Sequence, residues 1–374
     1  MNRGICKTWG ETHYESFDGK YFEFQGSCSY VISEDFCGNK LGTFKLISEN
    51  IACGSSSSSC TKSIKFIYLN RVFQFVRGSN PIVSRNTNYP PGGPTAFYWT
   101  SDVDTHFILF TMEGIQVKWD KAMSLEIMIP EKYQNKVCGL CGNFDLRIDN
   151  DMRARSGEIE KDIVNFADSW KVHSSCPVPQ KPPFMCSKRP DREPWAKAKC
   201  EILKSDSFKK CHDVVNVEHY YKRCVADACE CDRGDDCVCF CTAVEQYVAR
   251  CNEYEIGLKW RTNENCPHTC TGKRVWKNCG NICPDSCIDI GKNVTDNTGC
   301  KKVCIEGCFC PDGLHWQNNE CVERKACECV DPITNLKYNT GDKVIRECEE
   351  WLVEINKRLF LKYSMINFTI KIYH

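Results

Sequence analysis

The chain lacks a surplus of either charge: 49 Lys and Arg balance 49 Asp and Glu, for a formal charge of zero. Without a basic excess it has little with which to displace counterions from a phosphate backbone, which argues against a nucleic-acid binder. It also lacks any run of about 18 consecutive apolar residues, so it offers no membrane span. The opening stretch, MNRGICKTWGETHYESFDGKYFEF, has no apolar segment of the roughly 7–15 residues a secretory leader needs. Cys6 already sits in sequence that reads as folded. The chain is therefore expected to be an internal piece of a longer secreted protein, or one with a wrongly assigned start. There is no His-Glu-x-x-His zinc pattern, the 8 His are scattered, and no Ser/His/Asp or Cys/His set has support, so the reading is non-catalytic. A Ser/Thr/Pro-rich tract is missing too, GSSSSSC at 54–60 being too short to count.

Cysteine is what the chain has in abundance: 31 in 374 residues. Usage above about 8% lies far outside that of the reducing cytosol and points to an oxidised, extracellular protein. The odd count fits a truncated chain, or a thiol that pairs with another chain. The distribution is uneven, with 7 cysteines in residues 1–175, 23 in 176–329 and 1 in 330–374. Between Cys60 and Cys138 there is none, so that stretch must fold by burying apolar surface.

Its pattern is β. In THFILFTMEGIQVKWD, Phe107 and Leu109, then Ile115, Val117 and Trp119, alternate at period two around the turn Glu113-Gly114. That is the signature of a half-buried antiparallel sheet. TKSIKFIYLNRVFQFVRG repeats it with Asn70-Arg71 as the hairpin tip, and FDGKYFEFQGSCSYVIS repeats it around Asp18-Gly19. Residues 5–176 thus read as an all-β sandwich, closed by a short helix carrying Ile163, Phe166 and Trp170 on one face. A proline-rich hinge follows, PVPQKPPFMCSKRPDREP. Residues 186–266 then show helical periodicity in PWAKAKCEILKSDSFKKC and CTAVEQYVARC, a small stapled helical module. From Cys266 onward cysteines are so dense that bridges must replace a core, each contributing roughly 2–4 kcal/mol. The fold class is therefore multidomain and disulfide-rich: an all-β sandwich, a helical module at 186–266 and an irregular cystine-rich module at 266–327. The tail at 349–374 breaks with everything before it. It reads as a splicing or gene-prediction artefact more than as an amphipathic partner helix.

KVCGLCGNFDLRIDNDMRARSG sets two chemistries side by side. After Gly142 the loop offers Asn143, Asp145, Asp149, Asn150 and Asp151, hard oxygens of the kind Ca2+ collects in sixes to eights. The spacing is not that of an EF-hand, and a polar turn with Asx caps explains the same residues. Cys138 and Cys141 form a Cys-x-x-Cys pair at the end of a strand, with only Lys132 and Lys136 near in sequence to lower a thiol pKa. Structural staples, each cysteine to a different partner, outweigh thiol exchange. In the run Cys237-x-Cys239-x-Cys241, disulfides likewise outweigh zinc.

Four segments carry a family resemblance. CKTWGETHYESFDGKYFEFQGSCSYV with KVCGLCGNFD resembles the von Willebrand type D domain. DACECDRGDDCVCFCTAVEQYVARC with LKWRTNENCPHTC resembles its companion eight-cysteine (C8) module. CGNICPDSC through CKKVCIEGCFCPDGLHWQNNECVERKAC resembles a trypsin-inhibitor-like (TIL) module, and ECVDPITNLKYNTGDKV, within 328–348, looks like the start of an E- or C-type module. Gel-forming mucins, von Willebrand factor and otogelins are the relatives this suggests. The resemblance implies one Ca2+ held by Asn143, Asp145, the carbonyl of Arg147, Asn150 and Asp151, with Asp18 as a distant ligand. Arg147 departs from the small or neutral residue usual there, which a backbone ligand tolerates. It also implies Cys239 as an interchain disulfide candidate, against pairing inside its own module. The second such cysteine of disulfide-linked relatives has no equivalent in CPHTCTGKRVWKNC. Thiol exchange at the CGLC motif is a further family suggestion. Asn293, in Asn293-Val294-Thr295, is the N-glycosylation acceptor, while Asn367 lies in the doubtful tail. The expected function is a secreted, calcium-stabilised structural glycoprotein of mucin or extracellular-matrix type. Its partners would be copies of itself or mucin and matrix proteins, through disulfides. The alternative is protease inhibition by the TIL module through IDIGKNVTDNTGCKKVC.

Overall fold

The computed structural model describes residues 3–364 apart from 11–12, 40–41, 54–57, 77–78, 80, 123, 182–185, 188, 231–235, 284–285, 288–303, 328, 331–336, 339–342, 347–348 and 354–358. Asn293 and most of the segment proposed for protease inhibition lie outside the described residues. The first module is a sandwich of two antiparallel sheets. One has the order β3 (Tyr21–Glu23), β2 (His13–Glu15), β1 (Arg3–Trp9), β12 (Leu125–Pro130), β11 (Gln116–Trp119), β10 (Phe107–Thr111), β9 (Tyr98–Asp102). The other runs β4 (Ser29–Glu34), β5 (Phe44–Cys53), β6 (Ser58–Tyr68), β7 (Arg71–Val76), β8 (Ile82–Arg85). Between them lie fully buried aromatics, among them Phe44, Phe66, Phe73 and Phe75. Burying each such ring contributes on the order of 2–3 kcal/mol. Phe75 meets Phe107 and Trp119 across the sandwich at ring-centroid distances of 5.3 and 5.8 Å.

The β reading of the cysteine-poor stretch stands, with two corrections. The hairpin tip is Leu69-Asn70, since Arg71 already pairs with Tyr68 and Leu69 takes the positive φ of 49°. Strand β10 is buried on both faces rather than half-buried. Leu109 faces the sandwich core, while Ile108 and Phe110 join a second cluster with Val103, Ile282 and Ile305. The cystine-rich module covers that outer face.

Helix α1 (Ile163–Ser169) closes the sandwich, capped by Asp162 Oδ1 accepting from Val164 N at 2.8 Å, with Phe166 packed edge-on to Phe22. In the second module, PWAKAKCEILKSDSFKKC makes α2 (Glu193–Cys200), two 3-10 turns and the short α3 (Lys209–His212), not one helix. Sequence reasoning missed α4 (Val217–Glu230), whose signal was Asn216, its side-chain oxygen accepting from Glu218 N at 3.0 Å. Helix α5 spans Asp236–Asn252. Bridges Cys186–Cys229, Cys200–Cys224, Cys211–Cys251 and Cys241–Cys266 staple these helices around Phe208, Tyr247 and Trp260.

The third module has two hairpins, β13 (Val275–Asn281) with β14 (Cys304–Phe309) and β15 (Leu314–Gln317) with β16 (Glu320–Glu323). They are tied by Cys270–Cys308, Cys279–Cys304, Cys287–Cys327 and Cys310–Cys321. Bridges dominate as expected, but the module also buries Ile282 and Ile305 against the sandwich. The described part of the tail is extended, not helical: Glu349–Val353 and Leu359–Ser364 pair antiparallel, and Glu349–Val353 also pairs with Lys343–Arg346 of the preceding segment.

Candidate metal centre

The turn between β2 and β3 is folded by its own serine. Ser16 N donates to Lys20 O at 3.0 Å and Gly19 N to Ser16 O at 3.1 Å, while Lys20 N donates to Ser16 Oγ at 2.7 Å. Gly19 supplies the positive φ of 88° that the bend requires. Asp18 is thereby presented to the loop after Cys141, and its carboxylate accepts from Asp145 N at 3.0 Å and Leu146 N at 2.9 Å. Phe17 N reaches Cys141 O at 3.0 Å, so turn and loop are joined at backbone level as well.

Within the loop, Asp145 Oδ2 accepts from Asn143 Nδ2 at 2.9 Å and Asn150 Nδ2 at 2.7 Å, and Oδ1 accepts from Arg147 N at 2.9 Å. Burial opposes ionisation of Asp145, yet these hydrogen bonds hold its carboxyl below the usual range. Because both amide nitrogens are committed, both amide oxygens are left over. Asn143 Oδ1, Asn150 Oδ1 and Asp151 Oδ1 are buried with no hydrogen-bond partner. Asp151 is 1% exposed, and its other oxygen takes the Ser16 hydroxyl proton at 2.6 Å. Burial raises the Asp151 carboxyl well above the ordinary range; the Ser16 bond opposes this, and Asp18 and Asp145 add to it. Unpaired buried oxygens cost roughly 1–3 kcal/mol each, more when charged. Three of them in one loop beside two further carboxylates suit a hard cation. With Asp18, Asp145 and the Arg147 carbonyl the donors are all oxygen, and their number reaches the range Ca2+ takes. The side chain of Arg147 turns outward onto Asp149. Gly142, at φ 77°, completes the cradle, since a Cβ there would lie 2.2 Å from Asp151 Oδ1.

The CGLC cysteines precede this loop and do not bond each other. Cys138 pairs with Cys37 and Cys141 with Cys6 on β1. The pair does not end a strand: β12 stops at Pro130, and Cys138 sits in an isolated bridge with Glu34. Gly139, at φ 129°, lets the chain pass where a Cβ would be 2.6 Å from Ile32 O. Cys239 is 6% exposed and disulfide-bonded within the single chain. Among the described residues, Asp104, His268 and Cys308 also have metal-like proximity, but Cys308 is bonded to Cys270 and Asp104 pairs with Arg274 and His268.

Sequence reasoning missed the polar junction between modules, because each contact joins residues far apart in the chain. His13, 3% exposed, sets Nε2 2.6 Å from Asp227 Oδ1 of α4 and Nδ1 2.6 Å from Tyr21 OH. Lys7 pairs with Glu253, just beyond the C-terminus of α5; burial disfavours its ammonium, but Glu253, Glu126 and Glu15 outweigh that. Arg261 bridges Glu245 and Glu306, joining second and third modules, and Trp260 Nε1 donates to Glu306 at 2.9 Å.

Family models match in the same order as these modules. The von Willebrand factor type D domain matches residues 6–158, the C8 domain 199–267 and the trypsin inhibitor like cysteine rich domain 270–327. Among curated proteins the chain is similar to SCO-spondin of Gallus gallus, 34% identical over 332 residues, covering 87% of this chain and 6% of that protein. It is also similar to human Mucin-5B, 35% identical over 356 residues, and human Mucin-2, 35% over 360 residues. Those matches cover 91% and 92% of this chain but only 6% and 7% of the relatives' own lengths. The chain thus carries a von Willebrand factor type D domain, a C8 domain and a trypsin-inhibitor-like domain, in that order.

Proposed function

We propose that this assembly is a non-catalytic structural unit of a secreted gel- or matrix-forming glycoprotein, stabilised by one Ca2+ and acting through homotypic association and disulfide linkage. The observation that carries the calcium reading is the set of three buried, unpartnered oxygens on Asn143, Asn150 and Asp151. Asp18, Asp145, Asn143, Asn150, Asp151 and the carbonyl of Arg147 hold the ion, which ties the first hairpin to the loop beyond Cys141. An extracellular setting is supported by 11 disulfides among the described residues and by relatives that are mucins and SCO-spondins. None of the described helices is long and apolar enough to cross a membrane.

The ion stabilises the folded state by mass action, about 2.7 kcal/mol at a concentration a hundredfold above Kd. Isothermal titration of the disulfide-intact chain with CaCl2 tests this; no uptake at millimolar calcium removes the ion from the account. Linkage through Cys239 proceeds by exchange, because that sulfur is already bonded. An attacking thiolate on a second chain forms the new S–S bond and releases the former partner as thiolate. Electrophoresis with and without reductant, wild type beside Cys239→Ala, tests it. A covalent dimer lost in the variant supports the assignment, and one that persists assigns the link elsewhere.

A further inference from the structure

Between Gly142 and Asp151, Arg147 is the one basic side chain, among Asn143, Asp145, Asp149, Asn150 and Asp151. Its guanidinium forks onto Asp149, Nη2 to Oδ2 at 2.9 Å and Nε to Oδ1 at 3.3 Å. Both side chains are about two-thirds exposed, at 65% and 66%. Such a pair adds little to folding. Its position is what matters. The backbone amide of Arg147 donates to Asp145 Oδ1 at 2.9 Å, so the fork starts one residue's reach from a carboxylate of the cation site. On the other side Asp149 stands next in sequence to Asn150 and two residues from Asp151, both with an unpartnered buried oxygen. Lys20, on the facing turn, also bears electrostatically on Asp149.

Calcium affinity in oxygen sites follows the number of negative charges around the ion. Asp18, Asp145 and Asp151 would supply three, and Asp149 a fourth at the rim. We infer that Arg147 sets the filling threshold of this site, cancelling the charge of Asp149 so that the ion is held by three carboxylates without help from the fourth. This rests on the calcium reading above. It makes the exposed side chains of Arg147 and Asp149 a tuning pair beside the ligand set, from which only the backbone carbonyl of Arg147 is drawn, so that changing either side chain alters affinity and leaves the fold alone.

The test is titration of the intact chain with CaCl2 at low ionic strength, with thermal unfolding of the calcium-free proteins alongside. Arg147→Gln should bind about two- to five-fold more tightly and Asp149→Asn weaker by a similar factor, the scale of an exposed charge. The double variant should return close to wild type, and Arg147→Lys, which keeps the charge without the fork, should stay there. The single-variant differences should shrink as salt shortens the screening length. Calcium-free melting temperatures should not move. A wild type that takes up no calcium overturns the site and this inference together. A wild type that binds while Arg147→Gln binds equally or less tightly overturns the inference alone.

Discussion

Replacing Asp227 by Asn removes the negative charge that faces His13 across the junction of D and C8 modules. The His13 ring is surrounded: Asp227 at 2.6 Å from Nε2, Tyr21 OH at 2.6 Å and Glu23 Oε1 at 3.1 Å from Nδ1. The Arg223 guanidinium lies 3.5 Å from the Tyr21 ring, and His219 meets that ring edge-on. Burial alone would drive the imidazole towards its neutral form. Asp227, with help from Glu23, outweighs burial and raises it from 6.5 to about 9. Because the folded value exceeds the unfolded one, the contribution is full below about pH 6.5 and is lost as pH rises through about 9. That separation corresponds to roughly 3 kcal/mol. Guanidinium denaturation of the disulfide-intact chain between about pH 6 and 10 is the assay. Wild type should exceed Asp227→Asn by roughly 3 kcal/mol at the acid end, with the gap closing above about pH 9. A gap that is constant with pH, or that widens towards alkaline pH, refutes the argument that a charged His13 holds the junction.

Two further perturbations address the same architecture. Ile305, 5% exposed in the small cluster between TIL and D modules, should cost about 2–4 kcal/mol as Ile305→Ala. Limited proteolysis without reductant should then release the TIL module faster, and unchanged cleavage would show that the apolar contact does not hold it. Gly142→Ala places a Cβ 2.2 Å from Asp151 Oδ1 at a φ of 77°. Calcium affinity should fall by about tenfold or more, the scale of losses on disturbing a ligand's support; an unaltered affinity would mean that Asp151 is not a ligand.

The sequence makes the β10–β11 hairpin visible because a local rule governs it: period-two alternation around a glycine, here Gly114 at φ 85°. Nothing local distinguishes Ile108 and Phe110, whose cover comes from Ile305, nearly two hundred residues away. The tip at Leu69-Asn70 is shifted by one from the expected Asn70-Arg71, because leucine seldom adopts the positive φ that Leu69 takes here. At the candidate metal centre the donor types are readable from Asn143 to Asp151. Their arrangement is not, since it depends on Asp145 taking both amide nitrogens and on Ser16 taking one oxygen of Asp151. The CGLC pair could be read as two separate staples, while the partners Cys6 and Cys37 required the fold.

The division of labour between cores and junction follows from what each interaction does well. Inside the D and C8 modules, apolar clusters of their own residues and disulfides carry the stability, while the TIL module relies on its bridges. At the junctions the polar contacts include ion pairs: His13 with Asp227, Lys7 with Glu253, Arg274 with Asp104, and Arg261 with Glu306. A buried pair returns little net stability, because desolvation offsets the attraction, but a misplaced one leaves an uncompensated charge costing about 3–5 kcal/mol. A junction built this way discriminates between docking poses more than it adds strength. Apolar contact through Ile282 and Ile305 could slide along the outer face of β10; Arg261 gripping Glu306 while Thr105 Oγ1 donates to Glu306 O at 2.9 Å cannot. The D module thus acts as a platform on which C8 and TIL adopt one orientation.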